Sequence, residues 1–287
     1  MIVARKIIPA ILVVLVIHGI LPKSAHAQMT KLEEEQKLEQ EFTNPLTTLP
    51  QVFIKDTYSP ATYGTHVQTN TALLRAIIPR IPRYALLPFI QLIRPTIPLV
   101  TVPSSRGGSR TELGDIQVFD LAVLPWPSRQ SGFAIGVGPT FVFPTATSRS
   151  AGQGSWQAGP SFAMAYTGIP WFLFGFIYQD QISFAYTSAN RPAQNSMDLQ
   201  PVVLIHLWRG FYLRSADATW TYDTHHHNPT IIPISAGVGR VLVRPGLPPL
   251  NFYIAGQWMA YRQFAPIAPQ NSVIFGLTVA WPEIINW

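Results

Sequence analysis

The sequence predicts an all-β protein: a transmembrane antiparallel β-barrel of about 12 strands with a short N-terminal helical segment. Three observations carry this reading. From about Thr47 onward, segments rich in β-branched and aromatic residues recur at near-regular spacing, bounded by Pro, Gly, Ser, Asn or Arg, as in an all-β meander. Within them, one face is bulky and apolar and the other is small or polar. The chain is 47% apolar but only 12% charged, too few charges to clothe a soluble domain of 287 residues.

Taken in order, residues 1–27 have the tripartite form of a secretory signal: Arg5 and Lys6, an apolar stretch from Ile7 to about Leu21, then Pro22 and Ala25-His26-Ala27, with cleavage expected after Ala27. An uncleaved anchor is disfavoured, because the apolar core is short for a membrane span and is interrupted by Pro9. The formal net charge of +6 includes Arg5, Lys6 and Lys23, so the residues after Ala27 carry +3. No Lys/Arg cluster remains to neutralise a row of phosphates, which argues against nucleic acid as a partner. Absence of cysteine fits an exported protein stabilised without disulfides.

Residues 28–44 are expected to form a polar helical segment on the periplasmic side. Lys31 to Glu41 holds five of the fourteen acidic residues among strong helix formers, a pattern for a solvated helix or tail. A helix plugging the lumen, with Leu32 and Leu38 as its apolar contacts, is the sharper alternative. After Asn44-Pro45 the character changes, and residues 45–287 are expected to form the barrel.

The expected strands lie near 47–58, 65–78, 85–100, 111–124, 132–144, 154–167, 170–185, 197–208, 210–223, 230–243, 249–262 and 271–281. In the fifth, Phe133, Ile135, Val137, Phe141 and Phe143 oppose Ala134, Gly136, Gly138 and Thr140. In the sixth, Trp156, Ala158, Phe162, Met164 and Tyr166 oppose Gln157, Gly159, Ser161, Ala163 and Ala165. The last sets Val273, Phe275, Leu277, Val279 and Trp281 against Gly276, Thr278 and Ala280. A soluble sandwich or barrel would turn the bulky face inward and carry Lys and Glu outside. Here the second face is Gly, Ala, Ser, Thr and Gln, which suits a barrel whose bulky residues meet lipid. Tyr84, Trp126, Trp171, Trp208, Tyr261 and Trp281, near strand ends, are expected in interfacial girdles.

Connections alternate between tight turns (Thr167 to Pro170; Trp208 to Gly210) and longer polar loops (Pro103 to Arg110; Thr145 to Gln153; Thr187 to Ser196), with both termini on the short side. Pro139, Pro160, Pro201 and Pro233 fall inside strands and predict bulges or local widening. Asp115 and Gln117 share one parity and Asp120 the other, which predicts a bulge between them. The third and seventh strands do not alternate cleanly.

The chain resembles a known family on residues read in order: Asn44-Pro45-Leu46 with Leu49-Pro50; Glu112-Leu113-Gly114-Asp115-Ile116-Gln117; Gly136-Val137-Gly138-Pro139 through Phe143-Pro144-Thr145-Ala146-Thr147; Trp156-Gln157-Ala158-Gly159-Pro160; Leu199-Gln200-Pro201; Thr221-Tyr222-Asp223; Ile232-Pro233-Ile234; and Gly237-Val238-Gly239. These are similar to the outer-membrane family named for the meta-pathway of phenol degradation. The resemblance implies an outer-membrane protein for passage of small, often aromatic or apolar, compounds, and it offers no catalytic motif. Its implied surroundings are outer-membrane lipid, the barrel-assembly machinery and small-molecule solutes.

Arg75, Arg94, Asp115, Asp120, Asp217 and Arg240 fall within expected strands, where a lipid-facing Arg or Lys near the midplane costs ~2–4 kcal/mol. Most should therefore face the lumen or sit near an interface. Arg75, Arg94, Asp115, Gln117, Asp217 and Gln257 are the lumen and selectivity candidates, with Gln157, Gln200, Ser215 and Thr219 completing a polar lining. Paired, the charges would plug the lumen; unpaired, they would set its selectivity. His225 and His227, with Asp223, are weak candidates for a metal, and the bland reading of this cluster is a solvated loop. An outer-membrane lipid hydrolase needs a Ser nucleophile and a His base. His206 is the histidine placed well inside a strand, and no nucleophile motif accompanies it, so no catalytic residue and no cofactor is assigned. The competing classes are a channel or transporter-like barrel and a plugged structural or surface-interaction barrel.

Overall fold

The computed structural model describes residues 38, 40–80, 90–103, 108–125, 132–225, 229–244, 246–265 and 268–281. The chain divides into Met1–Leu38 and a compact unit, Glu39–Trp287. The expected signal at 1–27, the stretch 28–37 with Leu32, and Tyr84, Trp126 and His227 all lie outside the described residues.

Among the described residues of the second unit, fourteen strand segments follow one another: β1 (Gln51–Ser59), β2 (Thr69–Arg80), β3 (Ile90–Pro103), β4 (Ser109–Leu113), β5 (Ile116–Pro125), β6 (Phe133–Phe143), β7 (Ser155–Ile169), β8 (Phe172–Tyr186), β9 (Asn195–His206), β10 (Phe211–Ser215), β11 (Trp220–Asp223), β12 (Thr230–Leu242), β13 (Leu250–Gln263) and β14 (Asn271–Ala280). All pairings between them are antiparallel, and β1 pairs with β14, which closes the sheet. β4 and β5 both pair with β3, while β10 and β11 both lie between β9 and β12, so the fourteen segments make 12 staves. Each expected strand coincides with one stave, its ends displaced by a few residues.

The alternation sorts the wall into two faces. Ile54, Leu74, Ile78, Val137, Phe141, Phe252, Ile254, Phe275 and Leu277 point outward, while Ser161, Ala163, Gln181, Ser235, Asn251, Ser272 and Thr278 are buried inside. An outward Leu, Ile or Phe facing water forfeits ~1.5–3 kcal/mol each, so this exterior is built for an apolar surrounding. Trp171, Trp208 and Trp281 are exposed at the short-turn end, and Tyr58, Trp156, Phe184, Trp258 and Tyr261 at the opposite end, giving two aromatic girdles.

Alternation also holds in β3 and β8, where the sequence obscures it. Leu92, Arg94 and Thr96 point inward between Gln91, Ile93, Pro95 and Ile97; Leu173, Gly175, Ile177 and Gln181 do so between Phe174, Phe176, Ile182 and Phe184. Both faces are apolar over much of these strands, so hydropathy carries no period there.

The prolines act in two ways. At Pro233 the register shifts, as a bulge requires. Pro139 and Pro160 face each other across β6 and β7 with no shift. Instead the flanking ladders skip residues: Phe119 pairs Thr140 and the next pair is Ala122 with Val137; Ala158 pairs Ile182 and the next is Ser161 with Gln179. A residue without an N–H leaves a gap in the ladder without changing parity. Pro201 pairs Phe176 in continuous register.

The expected bulge between Gln117 and Asp120 is absent. Pairing of β5 with β3 runs from Thr96 and Gln117 to Ile90 and Val123 without a shift, so Asp120 keeps the outward parity of Val118 and Ala122. Arg240 also faces outward, near the end of β12, with its guanidinium 4.7 Å from the Phe211 ring.

Two inward tyrosines need space that only glycine leaves. Tyr212 pairs Gly239 and Tyr253 pairs Gly276, and a Cβ on Gly276 would stand 1.9 Å from the Tyr253 ring. Each ring lies across its neighbour strand into the lumen.

Candidate functional site: the barrel lumen

The short-turn half of the lumen is filled by the chain entering the barrel. A single helical turn, 40–43, ends at Asn44, whose Oδ1 accepts the Leu46 N–H at 2.9 Å and folds Asn44-Pro45-Leu46 into a tight turn. Thr47 donates to Glu41 at 3.0 Å and accepts from the Leu49 N–H at 3.0 Å. The turn thrusts Leu46 into an apolar cluster of inward residues, Leu92, Phe119, Leu121, Ala163, Ala165 and Ile177. Phe42 and Leu49 are buried as well. On the other flank the Thr43 hydroxyl meets His206 Nε2 at 3.2 Å, and Gln40 donates to the Pro170 carbonyl. A plug therefore exists, formed by Phe42, Leu46 and Leu49. It straddles the boundary at residues 44 and 45 drawn from the sequence.

Above the plug, among the described residues, lie two neighbouring cavities. The lower, about 110 Å³, is bounded by Phe42 and Thr43 of the plug and by Phe53, Arg75, Arg94, Arg214 and Tyr253. The upper, about 200 Å³, is lined by the polar Lys55, Arg75, Arg94, Gln117, Gln179 and Asp198 and by the apolar Leu73, Pro98, Phe119 and Ile177. Arg75 and Arg94 line both, so the two side chains stand where the chambers meet.

Each arginine is held in place. Arg75, paired across the β2–β3 ladder with Thr96, donates from Nε to the Thr96 hydroxyl at 3.1 Å. Arg94 is 7% exposed and lies flat on Phe119, its Cζ 3.7 Å from the ring centroid. Its Nε has no hydrogen-bond partner among the described residues.

Asp217 reaches the lumen by a break in the wall. Between β10 and β11 the chain leaves the sheet, and Ala216, Asp217 and Ala218 are buried in succession, which no alternating strand allows. Asp217 pairs with Arg214 at 3.0 Å and accepts from the Tyr253 hydroxyl at 2.8 Å, while the Arg214 Cζ stacks 3.5 Å from the Tyr253 ring centroid. Tyr212 in turn donates to Asn251 at 2.7 Å. This is a closed unit in which each charge has its counterpart. Lys55 and Arg75 stand within electrostatic range of it, and Arg94 within range of both.

Of the residues singled out from the sequence, Arg75, Arg94 and Gln117 line the upper cavity together with Gln200 and Thr219. Asp217 is in the ion pair. Gln257 points inward between Ser235 and Ser272. Gln157 is buried at the long-loop end, donating to Ser155 and Gln194. Asp115 sits in the break between β4 and β5 and accepts the N–H groups of Ala146 at 3.1 Å and Gln153 at 2.6 Å; it pins the loop after β6 and lines neither cavity. His225 lies beside Asp223, Nδ1 to Oδ1 3.9 Å, and its N–H donates to the same carboxylate at 2.8 Å. Lys55, Arg214 and Tyr253 were missed, and the plugging segment offered as an alternative is formed, among the described residues, by Phe42, Leu46 and Leu49 rather than through Leu38. Parity marks the first two: Lys55 shares the inward set of Gln51, Phe53 and Thr57, and Arg214 that of Tyr212.

Neither a protein-family model nor a curated protein sequence matches the chain. Solved structures do match by shape. An outer membrane channel from Pseudomonas putida F1 superposes over 83% of this chain and 98% of its own, with TM-score 0.59 and 11% identity. The KdgM porin aligns over 80% of this chain and 99% of its own (TM-score 0.46, 7% identity), and the NanC porin over 80% and 98% (TM-score 0.47, 12% identity). The likeness to the Pseudomonas channel establishes the fold class: a closed antiparallel barrel of 12 staves, of the outer-membrane type.

Proposed function

We propose that the protein is a narrow outer-membrane channel for small solutes, exported by its N-terminal signal and surrounded by outer-membrane lipid. The single observation that carries this is the pair of neighbouring cavities, both lined by the Arg75 and Arg94 side chains. Side chains on flexible stems can swing aside, whereas a sealed structural lumen would be packed across that level. The apolar wall of the upper cavity, Leu73, Pro98, Phe119 and Ile177, favours solutes with an apolar or aromatic part. The resemblance to the phenol meta-pathway family supports the same cargo. Entry is from the long-loop, cell-exterior side, and exit to the periplasm runs past Phe42 and Leu46.

A second reading is a plugged structural barrel, favoured by the burial of Leu46 among six buried apolar neighbours and by the closed Arg214–Asp217–Tyr253 unit. Flux into liposomes containing the refolded protein separates the two. Entry of an apolar aromatic or an inorganic ion above empty liposomes supports the channel. Flux equal to empty liposomes for every solute, sugar included, leaves the plugged barrel.

A further inference from the structure

We infer that the upper cavity is a binding site for a small organic monocarboxylate. Lys55, Arg75 and Arg94 line it against one carboxylate, Asp198, whose Oδ1 accepts from Thr221 at 2.7 Å and from Ser196 at 3.4 Å and whose Oδ2 accepts from Gln181 at 3.5 Å. The Arg214 cation below is matched by Asp217. The lining thus carries two formal positive charges in excess. Buried charge of one sign is unfavourable unless a counter-charge enters. Arg94 points to where: it is enclosed, fixed on Phe119, and its Nε is unpartnered among the described residues. An arginine fork of this kind receives a carboxylate through two parallel N–H bonds.

The remainder of the cavity selects the rest of the ligand. Leu73, Pro98 and Phe119 neighbour the cations on β1, β2, β3 and β5, and Ile177 completes an apolar part of the lining, so the bound molecule carries an apolar body beside its carboxylate. A volume of about 200 Å³ corresponds to about seven waters, which admits one small ring or a short chain and excludes an oligosaccharide. Gln117 and Gln179 stand at the rim toward the long loops. Asp198 at the far side repels a second carboxylate, which favours a monoanion over a dianion.

The biological purpose of the site rests on the channel reading, but its existence does not. Titration calorimetry on the full-length protein refolded in detergent, with sodium benzoate, neutral benzamide and sodium chloride as probes, decides it. The expected result is saturable benzoate binding at one site per barrel, no saturable benzamide binding, and weakening by about tenfold or more in Arg94→Gln. Equal binding of benzoate and benzamide, chloride binding without benzoate binding, or unchanged benzoate affinity in Arg94→Gln would overturn it. Should Arg94→Gln fail to fold, as judged by heat-modifiable gel migration, Lys55→Gln carries the same prediction. Liposome flux on the same preparation keeps the two claims apart. Binding without flux retains the site and removes the channel, and flux without benzoate binding retains the channel and removes the site.

Discussion

Arg94 lies flat against Phe119, guanidinium carbon 3.7 Å from the ring centre, and this stack holds a charged group at the level where the two chambers meet. A cation over a desolvated ring gains ~1–2 kcal/mol, enough to keep one rotamer populated without an ion-pair partner. The arginine is thereby fixed in place while its charge remains available to a ligand.

Replacing that ring tests the stack. Phe119→Leu keeps an apolar side chain but removes the π face, and is expected to lower benzoate affinity severalfold, while Phe119→Tyr leaves it near wild type. Calorimetry on both variants checks this. Equal affinities in Phe119→Leu and wild type would mean that Phe119 is only core.

The Arg214–Asp217 pair bears on stability. Asp217→Asn leaves a buried guanidinium without its counter-charge, a loss of ~3–5 kcal/mol for a buried pair. The temperature at which the folded gel band converts to the unfolded one is expected to fall by several degrees. Arg214→Met with Asp217→Leu removes both charges and is expected to recover most of that loss.

The contact of Tyr253 with Gly276 predicts an effect far larger than one methyl group warrants. In Gly276→Ala the new Cβ would overlap the Tyr253 ring, so the ring must leave the lumen wall and release Asp217. Gly276→Ala is expected to unfold at lower temperature than wild type, and Gly276→Ala with Tyr253→Phe to do no better, whereas Tyr253→Ala with Gly276→Ala restores space.

The plug sets how freely the lower chamber empties. Leu46→Asp places a charge in the cluster of Leu92, Phe119 and Leu121, which the turn at Pro45 can relieve by leaving the lumen. Single-channel conductance in a planar bilayer is expected to rise in this variant, and to stay at the wild-type value in Leu46→Met. A conductance unchanged in Leu46→Asp would place the restriction at the arginines alone.

The strands were legible because lipid imposes a period of two on the outer face, and Phe133 to Phe143 or Val273 to Trp281 show it directly. Where both faces are apolar, as in β3 and β8, that signal vanishes, and only the pairing reveals which side Arg94 and Ile177 occupy. Parity was sufficient to place Lys55 and Arg214 inside. It could not place Asp217, which arrives by a departure from the strand at Ala216 to Thr219, nor the plug, whose Phe42 and Leu46 lie outside any repeating pattern. Asp115 read as a strand charge because the break at Gly114 interrupts a segment that is otherwise continuous in hydropathy.

The most direct test of the arginine pair is the reversal potential of the refolded protein in a planar bilayer under a potassium chloride gradient, compared with Arg75→Gln/Arg94→Gln. Wild type is expected to favour chloride, and the double variant to shift toward potassium with a larger conductance, because the two positive side chains where the chambers meet are gone. A wild type without ion preference, a double variant with the same reversal potential, or no current above the bare bilayer would contradict the account.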